Sequence, residues 1–418
     1  MKAYNKLVLL FLIAGIAISC SDKNPKYNVF HPLSETGSKT GFILNKDSVL
    51  CLQTKESQNC INLSLPEYDN KTNLDTIFFS YKFIPLETTE HNLVGQITKI
   101  IRCDNCFCIL DRSNNNVFIF ELDGKYRCKL GVKGHSKKEY LDTWNVTYDE
   151  YNKLLVLLDL TGRKLMYYDL QGNLQHTESL YFLFTDIEFT KDNIFINTGN
   201  AANGITEIID SYNLLVCNRE YRPIRKCFHV NDFVKHAFSF APKLKKHKDR
   251  ILYDDLLSDT IWEISTSSKE PFMTFVSKDM YKFSKEEKQN MTDKIYKNKQ
   301  YQSVSVIDWH VSPLYISILT NNENGIVRNI LYSRKSKRYK VFGNNLKGRR
   351  LGDFLAMSAI NDVYDENSFI KIVEPIDIIK TSEEKACHSI LSKEEREMIE
   401  GLSADSNPVL MIESITEF

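Results

Sequence analysis

The chain carries no net charge: its 418 residues hold 54 Lys plus Arg against 54 Asp plus Glu. A balanced surface of that kind argues against a nucleic-acid partner, which would recruit a basic footprint. Glycine and proline are modest at 16 and 10, and tryptophan is scarce at 3. The longest apolar run, Leu7 to Ile18, has twelve residues, short of the roughly 20 that a membrane-spanning helix needs. No Ser–His–Asp ordering, glycine-rich phosphate loop or metal-ligand spacing stands out. No catalytic set and no cofactor are therefore expected from the residues.

What the chain does have is an address, thiols and strands. Lys2 and Lys6 form a basic start, and the apolar run after them has the length of a signal-peptide core. It leads into Ala17-Ile18-Ser19-Cys20, which resembles a bacterial lipobox, with Ala17 standing where leucine is usual. Residues 1–20 are thus expected to be a lipoprotein signal peptide, with the thiol of Cys20 carrying the lipid. The alternative is an unlipidated secretory signal. The expected location is the cell envelope, lipid-anchored to the outer membrane and either periplasmic or surface-exposed. Acyl chains contribute about 0.8 kcal/mol per buried methylene, so a multiply acylated cysteine is effectively permanent.

Ten cysteines are present; without Cys20 the number is odd, in a compartment that permits disulfides. Cys51 and Cys60 could close a small loop. Cys103, Cys106 and Cys108 look like a metal cluster, but Cys106 and Cys108 face one side of a strand. No second Cys pair or His pair at ligand spacing follows. Buried thiols, or one disulfide across the hairpin, are expected there rather than zinc.

Residues 21–74 are polar and weakly patterned, and read as a tether with some strand content around Phe42 to Leu52. From Gln96 a unit repeats. Ile97 to Arg102, Phe107 to Asp111, Val117 to Leu122 and Lys125 to Leu130 read as four strands with turns between them. Trp144 to Tyr148, Leu154 to Asp159, Lys164 to Leu170 and Leu174 to Leu180 repeat the pattern. Asp123-Gly124 and Gln171-Gly172-Asn173 sit where tight hairpins demand positive φ. Four short antiparallel strands at a period of about 40–50 residues mark a propeller blade. Later units are placed at about 185–230, 236–278, 303–343 and 352–417.

The expected fold is all-β: a six-bladed β-propeller over 75–418, with short helical insertions and an N-terminal strand closing the last blade. Thr76 to Ile84 is the closing strand, because a ring must hide two sheet edges. Capping boxes at Ser284-x-x-Glu287 and Ser392-x-x-Glu395 announce two surface helices, the second stopped by Gly401.

Phe83-Ile-Pro-Leu-Glu-Thr-Thr-Glu90, Val94 to Ile101, Ile109 to Arg112, Phe118-Ile-Phe120, Ser258 to Ile264 and Asn407-Pro-Val-Leu410 together resemble the six-bladed β-propeller lipoproteins of gut-type anaerobes. The blades of that family are similar to NHL repeats. The resemblance spans about 75–418. It implies the fold and export and little chemistry, since the family is poorly characterised. Its members often carry a Gly-Pro-Gly-Glu-Tyr loop after the first blade. Gly131 to Tyr140 keeps the frame here without the Pro-Gly.

Loops between strands two and three, and between blades, gather on one propeller face around the channel mouth. That face would display Arg112 to Asn116, Gly131 to Tyr140 and Thr161 to Arg163. Arg112, Lys133, His135 and Arg163, with Lys137 and Lys138, would suit an anionic ligand such as an acidic glycan. The competing reading is a solvated loop in which Glu139 and Tyr140 staple adjacent blades. Asp308 and His310 share a strand face and are expected as a packed pair rather than a catalytic dyad. Asp111 and Asp159 are expected in structural roles at equivalent turns, and Lys245 to Lys248 as a solvated loop. The function expected is a membrane-anchored, non-enzymatic binding or scaffold module for a glycan, peptide or envelope protein. The alternative is a propeller enzyme, a polysaccharide lyase or hydrolase with its site at the channel mouth.

Overall fold

Short runs of β-branched and aromatic residues, bounded by Asp, Asn and Gly turns, pair with their sequence neighbours into small antiparallel sheets. A computed structural model describes residues 48–64, 79–199, 209, 211–230, 243–247, 249–255, 258–276, 284, 286–287, 305–321, 327–342, 351–355, 360–415 and 418. The expected signal peptide with Cys20, the tether outside 48–64, Thr76 to Phe78 of the closing strand and the body of the helix after Ser284 lie outside the described residues.

Ahead of the repeats run β1 (Leu50–Cys51), β2 (Gln53–Thr54), β3 (Ile61–Ser64) and β4 (Phe79–Pro85). Blade one is β5 (Ile97–Arg102), β6 (Cys106–Asp111), β7 (Asn116–Glu121) and β8 (Tyr126–Lys129). Blade two is β9 (Asn145–Asp149), β10 (Leu154–Asp159), β11 (Lys164–Tyr168) and β12 (Leu174–Ser179). Blade three is β13 (Asp186–Phe189), β14 (Ile194–Asn197), β15 (Tyr212–Cys217) and β16 (Pro223–His229). Blade four is β17 (Leu244–His247), β18 (Arg250–Asp254), β19 (Thr260–Ile264) and β20 (Ser268–Val276). Blade five is β21 (Ser305–Val311), β22 (Tyr315–Asn321), β23 (Val327–Ser333) and β24 (Tyr339–Phe342). Blade six is β25 (Ile360–Val363), β26 (Ser368–Val373), β27 (Val409–Ile415) and, returning from the N-terminal side, β4. The chain is a six-bladed β-propeller.

The apolar middle strands show why one blade cannot stand alone. Every residue of β6 is buried, as is nearly all of β10. Each pair of adjacent blades shares one apolar cluster. Leu110 and Ile119 meet Leu155 and Met166 between blades one and two. Ile84 and Leu410 meet Ile109 and Phe118 between blades six and one, which closes the ring. The hairpin glycines behave as their turns demand, Gly124 with φ 91° and Gly172 with φ 85°.

Closure follows the expected design. β4 lies antiparallel to β27 from Phe79 opposite Ile415 to Pro85 opposite Val409. Asn407 locks the seam: its Nδ2 donates to Glu87 O at 2.7 Å and Asn92 O at 3.0 Å. Its Oδ1 accepts Val94 N–H at 2.8 Å. Leaving one such buried partner unpaired costs about 1–3 kcal/mol, which accounts physically for an asparagine ahead of the last strand.

Residues 48–64 depart from the tether expectation. β1 pairs parallel with β16, and β2 and β3 pair parallel with β20. Val49, Leu52 and Leu63 each plug a different inter-blade core, between blades two and three, three and four, and four and five. This strap adds strands to two outer edges, which explains its apolar residues amid polar ones.

Helices α1 (Leu351–Leu355), α2 (Pro375–Glu383), α3 (Lys385–His388) and α4 (Lys393–Glu400) cluster at blade six. In α4 the expected capping box is complete, Ser392 Oγ accepting Glu395 N–H at 3.1 Å and Ser392 N–H donating to Glu395 Oε2 at 2.8 Å. No α4 residue is buried, and Gly401 ends the helix. The first three helices were not expected. They cover blade six with Leu351, Leu355, Ile378 and Cys387 against Val373, Val409 and Met411.

Candidate functional site

Two regions of the ring gather polar side chains: the face expected to bind, and the central channel. On the face, Asp111 and Asp159 perform one structural task in blades one and two. Asp111 accepts the Gly95 and Gln96 N–H groups at 2.7 and 3.3 Å, and Ser113 Oγ and Asn114 Nδ2 from its own turn. Asp159 accepts Leu141 N–H at 2.9 Å, Asp142 N–H at 3.2 Å and Gly162 N–H at 2.7 Å. Each carboxylate ties the incoming inter-blade loop to the turn after the second strand. Burial raises the pKa of Asp111, but these donors outweigh it and hold the carboxyl below its ordinary value.

The loop Gly131 to Tyr140 has a firm backbone. Tyr140 is buried and donates its hydroxyl to Asn115 O at 2.9 Å. Its N–H donates to Val132 O at 3.0 Å, and Gly134 N–H to Tyr140 O at 2.9 Å. Glu139 Oε2 accepts Ser136 N–H at 2.9 Å, and the Lys164 ammonium donates to Glu139 O and to Ser136 O. Lys133, His135, Lys137 and Lys138 are left exposed on that support. Arg112 lies on the adjoining turn with its guanidinium 4.3 Å from the Trp144 ring centroid, and burial pulls its pKa down. Arg163 is half-buried beside Lys164, with φ 53°. The loop and both turns therefore adjoin one another.

The channel is lined by the first strands of the blades, which lie against one another around the ring. Ile100, Val146, Ile187, Leu244, Trp309 and Val363 are equivalent, each entering the core shared with the preceding blade. The residues just before them are therefore equivalent too: Lys99, Asn145, Asp186, Lys243, Asp308 and Asp362. Irregular pairing between Ile97 and Lys99, Val306 and Asp308, and Ile360 and Asp362 marks bulges in three of these strands. A bulge re-aims the side chain beside it. In Asn145, Asp186, Asp308 and Asp362, Oδ1 accepts the N–H of the next residue at 2.8–3.1 Å.

Hydrogen bonds run from blade to blade along this ring. Lys99 Nζ donates to Asn145 Oδ1 at 3.1 Å, and Asn145 Nδ2 to Asp186 Oδ1 at 2.9 Å. Asp186 Oδ2 accepts the N–H groups of Lys243 and Leu244 at 3.0 and 2.9 Å. Lys245 Nζ donates to Asp308 Oδ1 at 2.6 Å, and His310 Nε2 lies 3.1 Å from Asp308 Oδ2. One level along the strands, Thr147 Oγ1 donates to Glu188 Oε2 at 3.0 Å.

These environments push the carboxyls in opposite directions. Burial raises the pKa of Asp308, but Lys245 and His310 overcome it and hold the group well below the usual carboxylate range. Burial raises Asp362, only partly opposed by His310, the Val363 N–H, Lys245 and Lys99. Burial lifts Glu188 to about 7, with Lys99 pulling the other way.

The Asp308–His310 pair matches its expected packing, with His310 buried. Lys245 to His247 do not match, and Lys248 lies outside the described residues. Leu244–His247 is the innermost strand of blade four, and its charges persist in the interior because Lys245 meets Asp308 and Lys246 meets Glu150 at 2.6 Å. Lys99, Asn145, Asp186, Glu188 and Asp362 were not singled out from sequence. Their one signal is a polar residue placed directly before a large apolar one near the start of each repeat.

All nine cysteines after Cys20 are free. Cys103, Cys106 and Cys108 are buried thiols in the core between blades one and two, as one of the two expectations had it. Cys51 and Cys60 form no loop, because the strap lays β1 against blade three and β3 against blade four. Among the described residues no three His, Cys, Asp or Glu side chains stand together as a metal ion would need.

The sequence profile of a family described as a domain of unknown function, DUF4934, matches residues 58–414. A candidate exported protein from Bacteroides fragilis is 16% identical, with 87% of this chain and 100% of that chain covered at a TM-score of 0.70. It shares the propeller fold. A DUF4221 protein from Bacteroides vulgatus is 7% identical, over 81% of this chain and 96% of that one, at 0.47. A virginiamycin B lyase from Staphylococcus aureus is 11% identical, over 70% and 82%, at 0.37. The last two are too distant in shape to bear on this chain. No curated protein matches the sequence.

Proposed function

The chain belongs to the DUF4934 family, and on that footing we propose that it is an exported, lipid-anchored propeller that binds an anionic glycan at its basic face. Cys20 is the anchor, and the cell envelope, at the outer membrane, is the location. The observation that carries the reading is the hydrogen-bonded backbone of the loop Gly131 to Tyr140. Its backbone is held by Tyr140, Glu139 and Lys164 while Lys133, His135, Lys137 and Lys138 point to solvent. Cations displayed on a preordered support lose little conformational freedom on binding, and ammonium groups suit carboxylate or sulfate.

Two measurements test it. In a native-type host, Cys20→Ser is expected to shift the protein from the membrane fraction to the soluble one. A variant that stays with the membrane overturns the anchor. With polygalacturonate as probe, Lys133→Ala combined with Lys137→Ala is expected to weaken binding about 10-fold at unchanged melting temperature, because neither side chain is buried. Equal affinity in both proteins removes the binding reading. Arg163 is better replaced by Asn than by Ala, since its left-handed backbone favours Asn.

The enzyme reading has one observation in its favour. Asp308 is held ionised while Asp362 is pushed up, with His310 between their influences, and carboxyls driven apart in this way can divide acid and base roles. Turnover of the polysaccharide in the same assay, lost in Asp308→Asn, would replace binding by catalysis.

A further inference from the structure

Blade one carries four thiols on one face. Cys103, Cys106 and Cys108 are buried in the core shared with blade two, and Cys128 packs against it. Register sorts them. Arg102 lies opposite Phe107 in the β5–β6 ladder, so the next pair outward is Cys103 opposite Cys106. Cys103 N–H donates to Cys106 O at 2.9 Å across the turn Asp104-Asn105. Opposed residues of an antiparallel pair have Cα atoms about 4.5–5.5 Å apart, within the roughly 4.4–6.8 Å that a disulfide spans. Their side chains leave the same face of the sheet. The other thiols are placed differently. Cys108 stands opposite Ile101 and Ile119, and Cys128 opposite Ile119, so an isoleucine separates those two. Cys106 and Cys108 are two residues apart on one strand, about 6.7 Å, with side chains running parallel. In blade three, Cys217 is paired with Ile194 and Pro223, and Cys227 with Leu214.

Little holds the pair open. In the reduced chain Cys103 Sγ lies 3.9 Å from Ile101 O, a weak contact that rotation about χ1 releases. The two thiols also interact with each other, which raises the pKa of Cys103 and lowers that of Cys106. Cys106 is therefore the one to lose its proton first, and the thiolate is the nucleophile in disulfide exchange. Asp104 and Asn105 at the tip are exposed, so the end of the hairpin can open to an oxidant without parting the rest of the ladder.

We propose that Cys103-Asp104-Asn105-Cys106 is a redox-active dithiol, which closes into a disulfide across its own turn on meeting a small disulfide oxidant. The Cys106 thiolate attacks one sulfur of the oxidant, forming a mixed disulfide and releasing the first thiol. Cys103 gives up its proton and displaces the second thiol from Cys106. Two protein thiols are oxidised to one disulfide, and the oxidant is reduced to two thiols by the same two electrons and two protons. The chemistry rests on the hairpin and needs neither the lipid anchor nor the basic face. Export would bring the chain to such an oxidant.

The test uses the full-length chain in detergent, reduced and then incubated with reduced and oxidised glutathione at a series of ratios until its thiol pattern is stationary. Acid quenching, alkylation with N-ethylmaleimide and peptide mass spectrometry then report each cysteine. Alkylation of Cys103 and Cys106 is expected to fall together, about 10-fold or more from the reducing to the oxidising end. A peptide linked between them appears in step, and a reductant restores both thiols. Cys51, exposed in the strap, takes up glutathione and shows that the oxidant is active. Cys103→Ser is expected to stop at a glutathione adduct on Cys106, whereas Cys108→Ser closes the bridge as the wild type does. The wild-type pattern alone decides the matter even where a variant fails to fold. Alkylation of both thiols at every ratio, a bridge from Cys106 to Cys108 or Cys128, or a glutathione adduct that persists on Cys106 beside an intact Cys103 each overturns the proposal.

Discussion

Replacing Lys371 by methionine is expected to lower the stability of the propeller by about 3–5 kcal/mol, and Lys371→Met with Glu413→Leu to recover most of that loss. Lys371 and Glu413 lie on the adjacent strands β26 and β27 of blade six, with Nζ 2.9 Å from Oε2 and side chains 1% and 2% exposed. Around them on the same strands stand Phe369, Ile370, Met411 and Ile412, all buried. Coulomb attraction at such a separation is strong but offsets a large desolvation cost, so the pair itself contributes little net stability. Removing the ammonium alone is different. It leaves a carboxylate in an apolar setting, and Glu413 Oε1 already lacks a hydrogen-bond partner there. Urea unfolding of the three proteins distinguishes these terms. A single variant within about 1 kcal/mol of the wild type would mean that water reaches the pair, and burial at the seam would have to be abandoned.

Glu188→Gln is expected to act in the opposite sense, stabilising the protein by about 3 kcal/mol at pH 8 and hardly at all near pH 4. Burial raises the folded-state pKa of Glu188 from 4.5 to about 7. Between those values the folded state holds a proton that the unfolded chain has released. Stability therefore falls as pH rises through this window, and the full penalty is present above it. Glutamine carries no charge at any pH and still accepts the Thr147 hydroxyl through its carbonyl oxygen. Asp186, Lys99 and Lys246 face the same carboxyl, and all three remain in the variant. Thermal melts from pH 4 to 8 should show a declining wild-type curve and a flatter one for the variant. A wild-type curve that rises across the window would contradict the burial of a carboxyl at this position.

Polar groups in the interior divide by whether a neighbouring blade answers them. Asp308 is met by Lys245 from blade four and stays ionised. Glu188 receives one hydroxyl from blade two and has its pKa raised to about 7. Asp362 receives one N–H from its own strand. The blade that closes the ring is the one whose inner carboxylate is least answered among the described residues.

The sequence by itself determined what depends on near neighbours along the chain. Ile109-Leu110-Asp111 and Leu157-Leu158-Asp159 announced middle strands, because residues buried on both faces must be apolar throughout. Gly124 and Gly172 announced hairpins through positive φ, Ser392 and Glu395 a helix start, and the run into Phe79–Pro85 the closing strand. Only the tertiary structure decided the channel. Lys99, Asn145, Asp186, Lys243, Asp308 and Asp362 are two lysines, three aspartates and an asparagine, and each comes from a different blade, so ring closure alone makes them neighbours. The same holds for the strap, whose strands β1 and β2 have two residues each and take their partners from blades three and four. It holds too for Lys245, which looks like part of a solvent-facing charge run until Asp308 is brought against it. Local pattern encodes a strand, whereas the environment of a charge belongs to whatever the folded chain places beside it.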